Sequence, residues 1–347
     1  MYKVILITQT GGSSKGLLRQ TKGQQGISSC GKYQFYINEI IPDPDFVVIR
    51  GKTLKKKTTF NVAPENLMLT TSEPLNVLAY PNDYCRQFGI VCSCQETLKH
   101  KNVIYTPAIL PWFAGLSLPA AKAKRPPVDF DTLRATPTPQ KTKLISVVSS
   151  NKAFTSGHLK RIEFVERLKE YYGDKLDVFG RGYRDFQDKL EVTRPYKYQI
   201  VIENTSAKYY WTEKIADCYI GESYPIYYGC TNIGDYFPEG SYTAIDINNF
   251  DECVKTIDAL LAQDTYETAK PLLRECKRMC LDEYNMFNYI ARCLDTLDPS
   301  KPKKSITVKP ANSLHSIHNI YNYLIKRNIF KLQRTLARLF NKKAFIK

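Results

Sequence analysis

The feature that most constrains the fold is a regular alternation of short apolar runs with amphipathic segments. In the second half of the chain the apolar runs are LISVVSS, LDVFG, YQIVIE and YPIYYG, and the amphipathic segments GHLKRIEFVERLKEYYG and TEKIADCYIGE lie among them. Runs this short and apolar are typical of strands buried on both faces, and strands that alternate with helices form parallel sheets. The chain is therefore expected to be an α/β protein.

The alternation occurs in two blocks. The first block carries the predicted strands YKVILIT, DFVVIRG and ENLMLTT. Residues 122–143 are rich in Pro, Lys and Thr and have no periodic pattern, which is typical of an inter-domain segment. We therefore predict an α/β domain over residues 1–121, a linker over 122–143, a second α/β domain over 144–300 and a tail over 301–347. Two Rossmann-like domains facing a cleft are the architecture of the GT-B glycosyltransferases.

The positive charge of the chain is concentrated in the tail. The net charge is +16, yet residues 301–347 hold twelve of the 50 basic residues and no acidic ones, which leaves 38 basic against 34 acidic residues elsewhere. Apolar and cationic residues recur there at helical spacing, so we predict a basic amphipathic helix that lies on an anionic membrane surface. The alternative is a terminal helix packed on its own protein. Nucleic acid is not an expected partner, since no nucleic-acid-binding motif accompanies the charge.

The sequence favours a cytoplasmic protein, peripheral on the cytoplasmic face of the membrane. It has neither a signal peptide nor an apolar run of membrane-spanning length. Ten cysteines scattered along such a chain are expected to be reduced thiols. They lack partners at zinc-ligand spacing, and the Asp-x-Asp sequences that begin at Asp43 and Asp129 are interpreted as loop acids, so no metal site is expected.

Small or hydrogen-bonding residues and one arginine follow the predicted strands of the second half, at the sheet edge where open α/β folds bind ligands. They are Ser149, Ser150 and Asn151, then Gly180 and Arg181, then Glu203 and Asn204, then Gly229. Thr212 is a good N-cap for the next helix, and a helix N-terminus beside Lys214 suits a diphosphate. The alternative is that Glu213 merely complements the helix dipole while Lys214 is solvated.

These segments resemble a known family in order and spacing. YKYQIVIENT, then YWTEKIAD, then YPIYYG and YFPEGSYTAIDINNFDECVKTI resemble the donor-binding signature of the glycosyltransferase family 10 α1,3-fucosyltransferases. The upstream stretch ISVVSSNKAFTSGHLKRIEFVERLKEYYGDKLDVFGRGY is similar to that family's strand, Ser-Asn loop and helix. The resemblance covers roughly residues 144–261.

The resemblance implies an inverting transfer of L-fucose from GDP-β-L-fucose to a glycan hydroxyl, with an α1,3-type linkage. The donor would bind in the second domain and the acceptor in the first. No cofactor is required, and a divalent cation would be at most stimulatory. By the same resemblance Arg161 and Lys214 neutralise the diphosphate, Glu213 supports the sugar hydroxyls, and Tyr210 lies near the nucleotide. The candidate donor-binding residues are Ser150, Asn151, Arg161, Glu203, Asn204, Tyr210, Thr212 and Lys214, and the catalytic candidates are Glu73 and Glu213.

Glu73, in the stretch LMLTTSEPLNV, is the candidate general base. It resembles the family's Glu-Pro element, which takes the proton from the acceptor hydroxyl. The alternative is that Glu73 is an acid in the first turn of a helix that follows Pro74, in which case Asp83 and Glu96 are the next candidates. The family's Tyr-Arg-x-Asp-Ser-Asp element is absent, so the acceptor stays open.

Two other functions remain open at this point. One is a GT-B transferase that uses another nucleotide sugar on a surface glycan. The other is a basic glycan-binding or nucleic-acid-binding protein without turnover. As a fucosyltransferase at a membrane, the protein would act in glycan biosynthesis, with lipopolysaccharide or a glycoprotein as the acceptor.

Overall fold

The computed structural model describes residues 1–9, 14–117, 125–149 and 156–313, together with Ile329 and Leu332. Residues 1–117 contain a six-stranded parallel sheet in the order β2-β1-β3-β5-β6-β7. Its elements and those that surround it are β1 (Tyr2–Ile7), α1 (Ser14–Leu18), β2 (Tyr33–Ile37), β3 (Phe46–Arg50), β4 (Thr58–Val62), β5 (Leu67–Thr70), α2 (Asn82–Cys85), β6 (Ile90–Ser93) and β7 (Val103–Tyr105).

Burial along these strands follows their place in the sheet. Every residue of the central strand β3 is buried, whereas the edge strand β2 alternates buried and half-buried positions. A strand covered on both faces needs apolar residues throughout, whereas an edge strand also tolerates partly exposed positions. Arg50 is the one charged residue of β3. It ends the strand as a buried cation at the edge of the sheet where α/β folds bind ligands.

The second parallel sheet has five strands in the order β12-β11-β10-β8-β9. Helices alternate with these strands and continue beyond them, as the sequence predicts, so the expected α/β architecture of two parallel sheets is confirmed. The elements are α3 (Phe130–Ala135), β8 (Lys143–Val148), α4 (Ser156–Tyr172), β9 (Leu176–Phe179), β10 (Tyr196–Ala207), α5 (Glu213–Ile220), β11 (Tyr224–Cys230), β12 (Thr243–Ala244), α6 (Phe250–Ala262), α7 (Thr265–Asp282), α8 (Met286–Leu294) and β13 (Lys304–Val308).

The chain returns to the first domain before residue 300, which corrects two predicted boundaries. Helix α8 lies in the core of the first sheet, where the ring of Phe287 meets that of Phe35 at 5.1 Å between centroids. Strand β13 pairs antiparallel with β4. The second domain therefore ends after α7, and residues 301–313 are part of the body of the protein. The prediction missed this because an apolar helix face does not reveal which of two sheets covers it.

The predicted linker is also partly structured. Its described residues, 125–143, include α3, whose N-cap is Asp129: the carboxylate accepts a bond from the Thr132 amide at 3.0 Å. In the other Asp-x-Asp sequence, Asp43 and Asp45 both bind the Lys303 ammonium, at 2.8 and 3.2 Å. Asp43, Asp45 and Asp129 are therefore loop acids with structural partners, as interpreted, whereas Asp131 lies within α3, where its carboxylate accepts from the Gly23 amide at 2.6 Å. The described residues hold no group of three His, Cys, Asp or Glu side chains placed to bind a metal ion.

Buried charges hold the joint between the two domains. The Asp217 carboxylate, on α5, accepts bonds from the amides of Phe113 and Ala114 at 2.7 and 2.8 Å. From the other side the Arg19 guanidinium, on the residue after α1, donates to the carbonyls of Trp112 and Ala114, both at 2.9 Å. Burial raises the pKa of Asp217 to about 7 and lowers that of Arg19 to about 10. Residues 112–114, which lead out of the first domain, are thus hydrogen-bonded to Asp217 on one side and to Arg19 on the other.

Most of the predicted basic helix lies outside the described residues. Of the residues beyond Ser313, the structure describes Ile329 and Leu332, which are 49% and 60% exposed. Within the described part of the chain, no helix combines the length and the apolar character needed to cross a bilayer. The ten cysteines are unbridged, and Cys30 alone among them is exposed.

Candidate functional site

A fully buried carboxylate organises the carboxyl edge of the second sheet. Glu203 lies on β10, and none of its side-chain surface is exposed. The neighbouring strand makes room for it at Gly229, where a Cβ atom would lie 2.5 Å from the Glu203 Cγ and 2.6 Å from the Tyr227 hydroxyl. A carboxylate in this position must be bonded, because an unpaired buried charge costs several kcal/mol.

The bonds come from the start of α5. The Thr212 amide donates to the Glu203 carboxylate at 2.8 Å, and the Thr212 hydroxyl lies 2.8 and 2.9 Å from its two oxygens. The Lys214 ammonium donates to the same carboxylate at 2.8 Å and to the Thr212 hydroxyl at 3.0 Å. Thr212 is also the N-cap of the helix, as predicted, since its hydroxyl accepts from the Lys214 amide at 3.3 Å. Thr212 therefore links the start of α5, the Lys214 ammonium and the buried Glu203 carboxylate.

The charge on Lys214 is stabilised from within the protein. Burial opposes that charge, but the attraction of Glu203 and Glu213 outweighs it and raises the pKa of the ammonium group. Burial raises the pKa of Glu203, and the Lys214 and Thr212 bonds act against that shift. The Lys214 ammonium and the Glu203 carboxylate thus form an ion pair at 2.8 Å. The alternative in which Lys214 is simply solvated is wrong, yet 25% of its side chain remains exposed and open to a ligand.

A second buried cation lies beside this pair. Arg161, on α4, is 7% exposed and donates to the Asn204 side-chain oxygen at 2.9 Å. Burial lowers the pKa of Arg161, and the nearby Glu203 raises it in part. Lys214 in turn feels the repulsion of Arg161. The structure therefore brings together Arg161, Glu203, Asn204, Thr212 and Lys214, which the sequence places on three separate segments.

Glu203 and Tyr210 do not have the open position expected of donor-binding residues. Glu203 has no exposed side-chain surface, so it acts through Thr212 and Lys214 rather than by direct contact. Tyr210 is 1% exposed and packs between the domains against Cys94 and Ala108. Donor contact by Tyr210 would require its ring to be uncovered. Sequence patterns predicted that these residues lie near the site but could not predict their depth.

The first domain contributes a carboxylate and a cation to the same region. Glu73, in the loop after β5, is half-buried. Burial raises its pKa, as does the repulsion of Glu213 and Glu203, while Lys214 and Arg50 act in the opposite direction. No helix follows Pro74: its carbonyl accepts from the amides of Val77 and Leu78, both at 2.9 Å, in a single turn. The reading of Glu73 as an acid in the first turn of a helix is therefore wrong.

The remaining candidates are placed as follows. Glu213 is the first residue of α5, and its side chain is 17% exposed, with the carboxylate 3.8 Å from the Lys214 ammonium. Ser150 and Asn151 lie outside the described residues, and the adjacent Ser149 is buried. Arg50 is a residue that the sequence reading missed. Burial lowers its pKa to about 10, and the charges of Tyr80, Glu73 and Glu213 partly restore it. An arginine that ends an otherwise apolar strand is the signal that could have revealed it.

The packing around Glu203 predicts a steric effect of a single methyl group. Gly229→Ala should lower the free energy of unfolding by about 1–3 kcal/mol, because the new Cβ overlaps the Glu203 side chain and the Tyr227 hydroxyl. Urea unfolding measures this. Gly234→Ala is the matched control, since its Cβ would meet only the Tyr242 hydroxyl, at 3.3 Å. Equal stability of the two variants would contradict the tight packing of Glu203.

The site segment matches a known family. The model described as "Glycosyltransferase family 10 (fucosyltransferase) C-term" matches residues 138–269. The alpha-(1,3)-fucosyltransferase FucT of Helicobacter pylori is 36% identical over 80 residues. That alignment covers 23% of this chain and 16% of the relative, so the chain matches a small part of the relative's length.

Solved structures of similar proteins were also found. A crystal structure of an alpha1,3-fucosyltransferase is 19% identical, with 84% of this chain and 88% of that chain covered and a TM-score of 0.48. A complex of an alpha1,3-fucosyltransferase with GDP-fucose is 18% identical, with 78% and 81% covered and a TM-score of 0.45. An alpha-glucosyltransferase in complex with UDP is 8% identical, with 85% and 100% covered and a TM-score of 0.47.

The family match includes each site residue of the second domain, from Arg161 on α4 to Lys214 on α5. These residues meet at the carboxyl edge of its sheet, where an α/β fold binds ligands. Residues 138–269 therefore resemble the C-terminal domain of glycosyltransferase family 10 in sequence and in the place of these residues.

Proposed function

We propose that the protein is an inverting fucosyltransferase that moves L-fucose from GDP-β-L-fucose to a hydroxyl of a glycan, in an α1,3-type linkage. The observation that carries the proposal is the pair of cations, Arg161 and Lys214, that internal hydrogen bonds hold at the helix start of a family 10 domain. The donor would bind in the second domain and the acceptor in the first. Fucose transfer needs positive charge at the leaving group, negative charge near the sugar and a base at the acceptor hydroxyl.

The leaving group needs positive charge. Departure of GDP places negative charge on its β-phosphate, and cations already fixed in place stabilise that charge without having to reorganise. Lys214 is fixed by Glu203 and Thr212, and Arg161 is fixed by Asn204. Neither cation needs a metal ion to take part. The proposal accordingly requires no cofactor.

The sugar needs negative charge. As the bond to GDP breaks, positive charge develops on the anomeric carbon, and a nearby carboxylate stabilises it. Glu213 is suited to this role, or to holding the sugar hydroxyls, because it begins α5 beside Lys214 and is partly exposed. Donor contacts by Ser150 and Asn151 remain predictions from the family resemblance.

The acceptor needs a base on the opposite domain. Glu73 approaches the donor residues closely enough for Glu213, Glu203 and Lys214 to affect its pKa. A raised pKa brings a carboxylate closer to the operating pH, which improves it as a general base. The other candidates are less suited: Asp83 pairs with Arg86 at 3.2 Å on α2, and Glu96 is exposed.

GDP binding tests the two cations. Lys214→Ala and Arg161→Ala should each weaken GDP binding by about 1–3 kcal/mol, the usual range for a charge-assisted hydrogen bond. Isothermal titration calorimetry on the folded variants measures this, with other nucleoside diphosphates as competitors to test the choice of donor. Lys160→Ala is the control: Lys160 neighbours Arg161 on α4 but bonds to Asn248 at 2.7 Å. Wild-type affinity in both site variants would contradict the diphosphate site.

The base is tested by kinetics. Glu73→Gln should lower kcat roughly 100-fold or more, the scale expected when a general base is lost, while GDP affinity stays near normal. Because the base must be ionised, wild-type kcat should rise with pH through an apparent pKa above the ordinary value for glutamate. This rise on the acidic side of the kcat profile is called the acidic limb, and the Glu73→Gln variant should lose it. Full turnover by Glu73→Gln would place the base elsewhere.

The tail is proposed to hold the enzyme at an anionic membrane surface, close to a membrane-borne acceptor. Residues 313–347 hold eight basic and no acidic residues, and each basic residue near such a surface contributes about 1 kcal/mol. Removal of residues 314–347 should abolish sedimentation with phosphatidylserine vesicles and leave turnover of a soluble acceptor nearly intact. Vesicles of phosphatidylcholine alone are the control. A truncated protein that loses its fold or its soluble activity would show that the tail is part of the body.

A further inference from the structure

The loop that carries Glu73 is held at both of its ends by one buried side chain. Gln95 follows β6 and is 5% exposed. Its side-chain amide donates to the Glu73 carbonyl and to the Leu78 carbonyl, both at 2.7 Å. Two short bonds from one amide group bracket residues 73–78 and fix the width of the loop.

Gln95 is itself fixed by the sheet below it. Strands β5 and β6 are parallel neighbours, so Thr71 and Ser93, which lie at their carboxyl ends, are also close together. The backbone amide of Gln95 donates to the Ser93 hydroxyl at 3.0 Å, and the backbone amide of Cys94 donates to the Thr71 hydroxyl at 2.9 Å. The position of the loop therefore derives from the strand register of the first domain.

The tip of the loop reaches the second domain. Asn76 lies between the two carbonyls that Gln95 holds, and its side chain exchanges two hydrogen bonds with the Thr205 hydroxyl. The Asn76 amide group donates at 2.7 Å, and the Thr205 hydroxyl donates back to the Asn76 oxygen at 3.0 Å. Thr205 follows Asn204, the partner of Arg161. One strand thus carries both the residue that holds a donor cation and the residue that holds the loop of the base.

We propose that Asn76 and Thr205, supported by Gln95, are positioning residues that set Glu73 against the donor site across the domain boundary. None of them needs to contact a substrate. Their effect is to fix the distance between a base on the first domain and the reacting sugar on the second, and such distances strongly affect reaction rates. This inference rests on the proposed function, because it assumes that Glu73 is the base.

The charges around Glu73 provide a readout that a purely structural role would not change. In its place Glu73 faces Glu213, Glu203 and Lys214 from the second domain and Arg50 from β3. Burial and the two glutamates raise its pKa, and the two cations lower it in part. A loosened loop would let the carboxylate move toward water. Its pKa would then fall toward the ordinary value, and the acidic limb of kcat would move to lower pH.

The experiment compares kcat, the KM for GDP-fucose and the pH profile in matched variants. Asn76→Ala and Thr205→Val should each lower kcat about 3- to 10-fold, as expected for the loss of hydrogen bonds at an exposed pair, with the KM for GDP-fucose unchanged. Both should move the acidic limb to lower pH. Thr205→Ser keeps the hydroxyl and should behave as wild type. The double variant should be no slower than the slower single one, because both changes remove the same contact.

A second contact between the domains serves as the control. Tyr105, at the end of β7, stacks on Tyr209 with 5.3 Å between ring centroids and 8° between planes. Tyr209→Ala removes this stack from the side of the second domain and leaves the bond from the Tyr105 hydroxyl to the Glu96 carbonyl, next to Gln95, intact, so it should leave the acidic limb in place. An equal shift of the limb in this variant would overturn the inference, since loosening of the domains would then be the cause.

The remaining outcomes separate the inference from the proposed function. A wild-type enzyme that transfers fucose, with a Thr205→Val variant of unchanged kcat and unchanged acidic limb, would overturn the inference and leave the function intact. Failure of Thr205→Ser to restore wild-type behaviour would also overturn it. A wild-type protein that releases no GDP from GDP-fucose with any glycan acceptor would overturn the proposed function and the inference with it.

Discussion

The candidate site depends on one interaction, the burial of the Glu203 carboxylate beneath the start of α5. A buried charge must be matched by donors, and the donors here are the Thr212 amide, the Thr212 hydroxyl and the Lys214 ammonium. Those bonds determine where the helix begins and where the lysine points. A change at Glu203 would therefore alter Lys214 even though the two residues are eleven positions apart in the chain.

This arrangement buries one partner of the ion pair completely and leaves the other partly exposed. Glu203 is out of contact with solvent, whereas Lys214 keeps a quarter of its side chain exposed. An ammonium group fixed by a buried partner loses little conformational freedom when an anion arrives, and this preorganisation favours binding. Arg161 follows the same pattern with Asn204. The site can therefore present positive charge to a ligand before the ligand is bound.

The path of the chain joins the two domains more closely than a linker alone would. The C-terminal segment crosses back, packs α8 on the first sheet and adds β13 to β4. Buried charges at Asp217 and Arg19 hold the outgoing segment. The relative position of the sheets is thus set at several points, and the loop that carries Glu73 lies near the start of α5 as a consequence.

Much of the second domain could be predicted from its sequence. The strand that carries Glu203 and Asn204, the Thr212 cap and the helix behind it follow from local patterns, because apolar periodicity and capping act within a few residues. The strand continues to Ala207, beyond the predicted end at Glu203. The family resemblance added roles for Arg161 and Lys214. In the structure Glu73 lies near enough to Lys214 for that cation to lower its pKa. The predicted domain boundary at residue 300 was wrong, since the apolar face of α8 could have covered either sheet.

The sequence by itself determined the α/β class, the two parallel sheets, most strand and helix positions and the family resemblance of the second domain. These features depend on the residue types within short segments, so they can be read without knowledge of distant contacts. Only the tertiary structure decided the depth of Glu203 and Tyr210, the return of α8 and β13 to the first domain and the meeting of Asn76 with Thr205. Burial and pairing between residues far apart in the chain depend on how whole sheets and helices pack, and no local pattern carries that information.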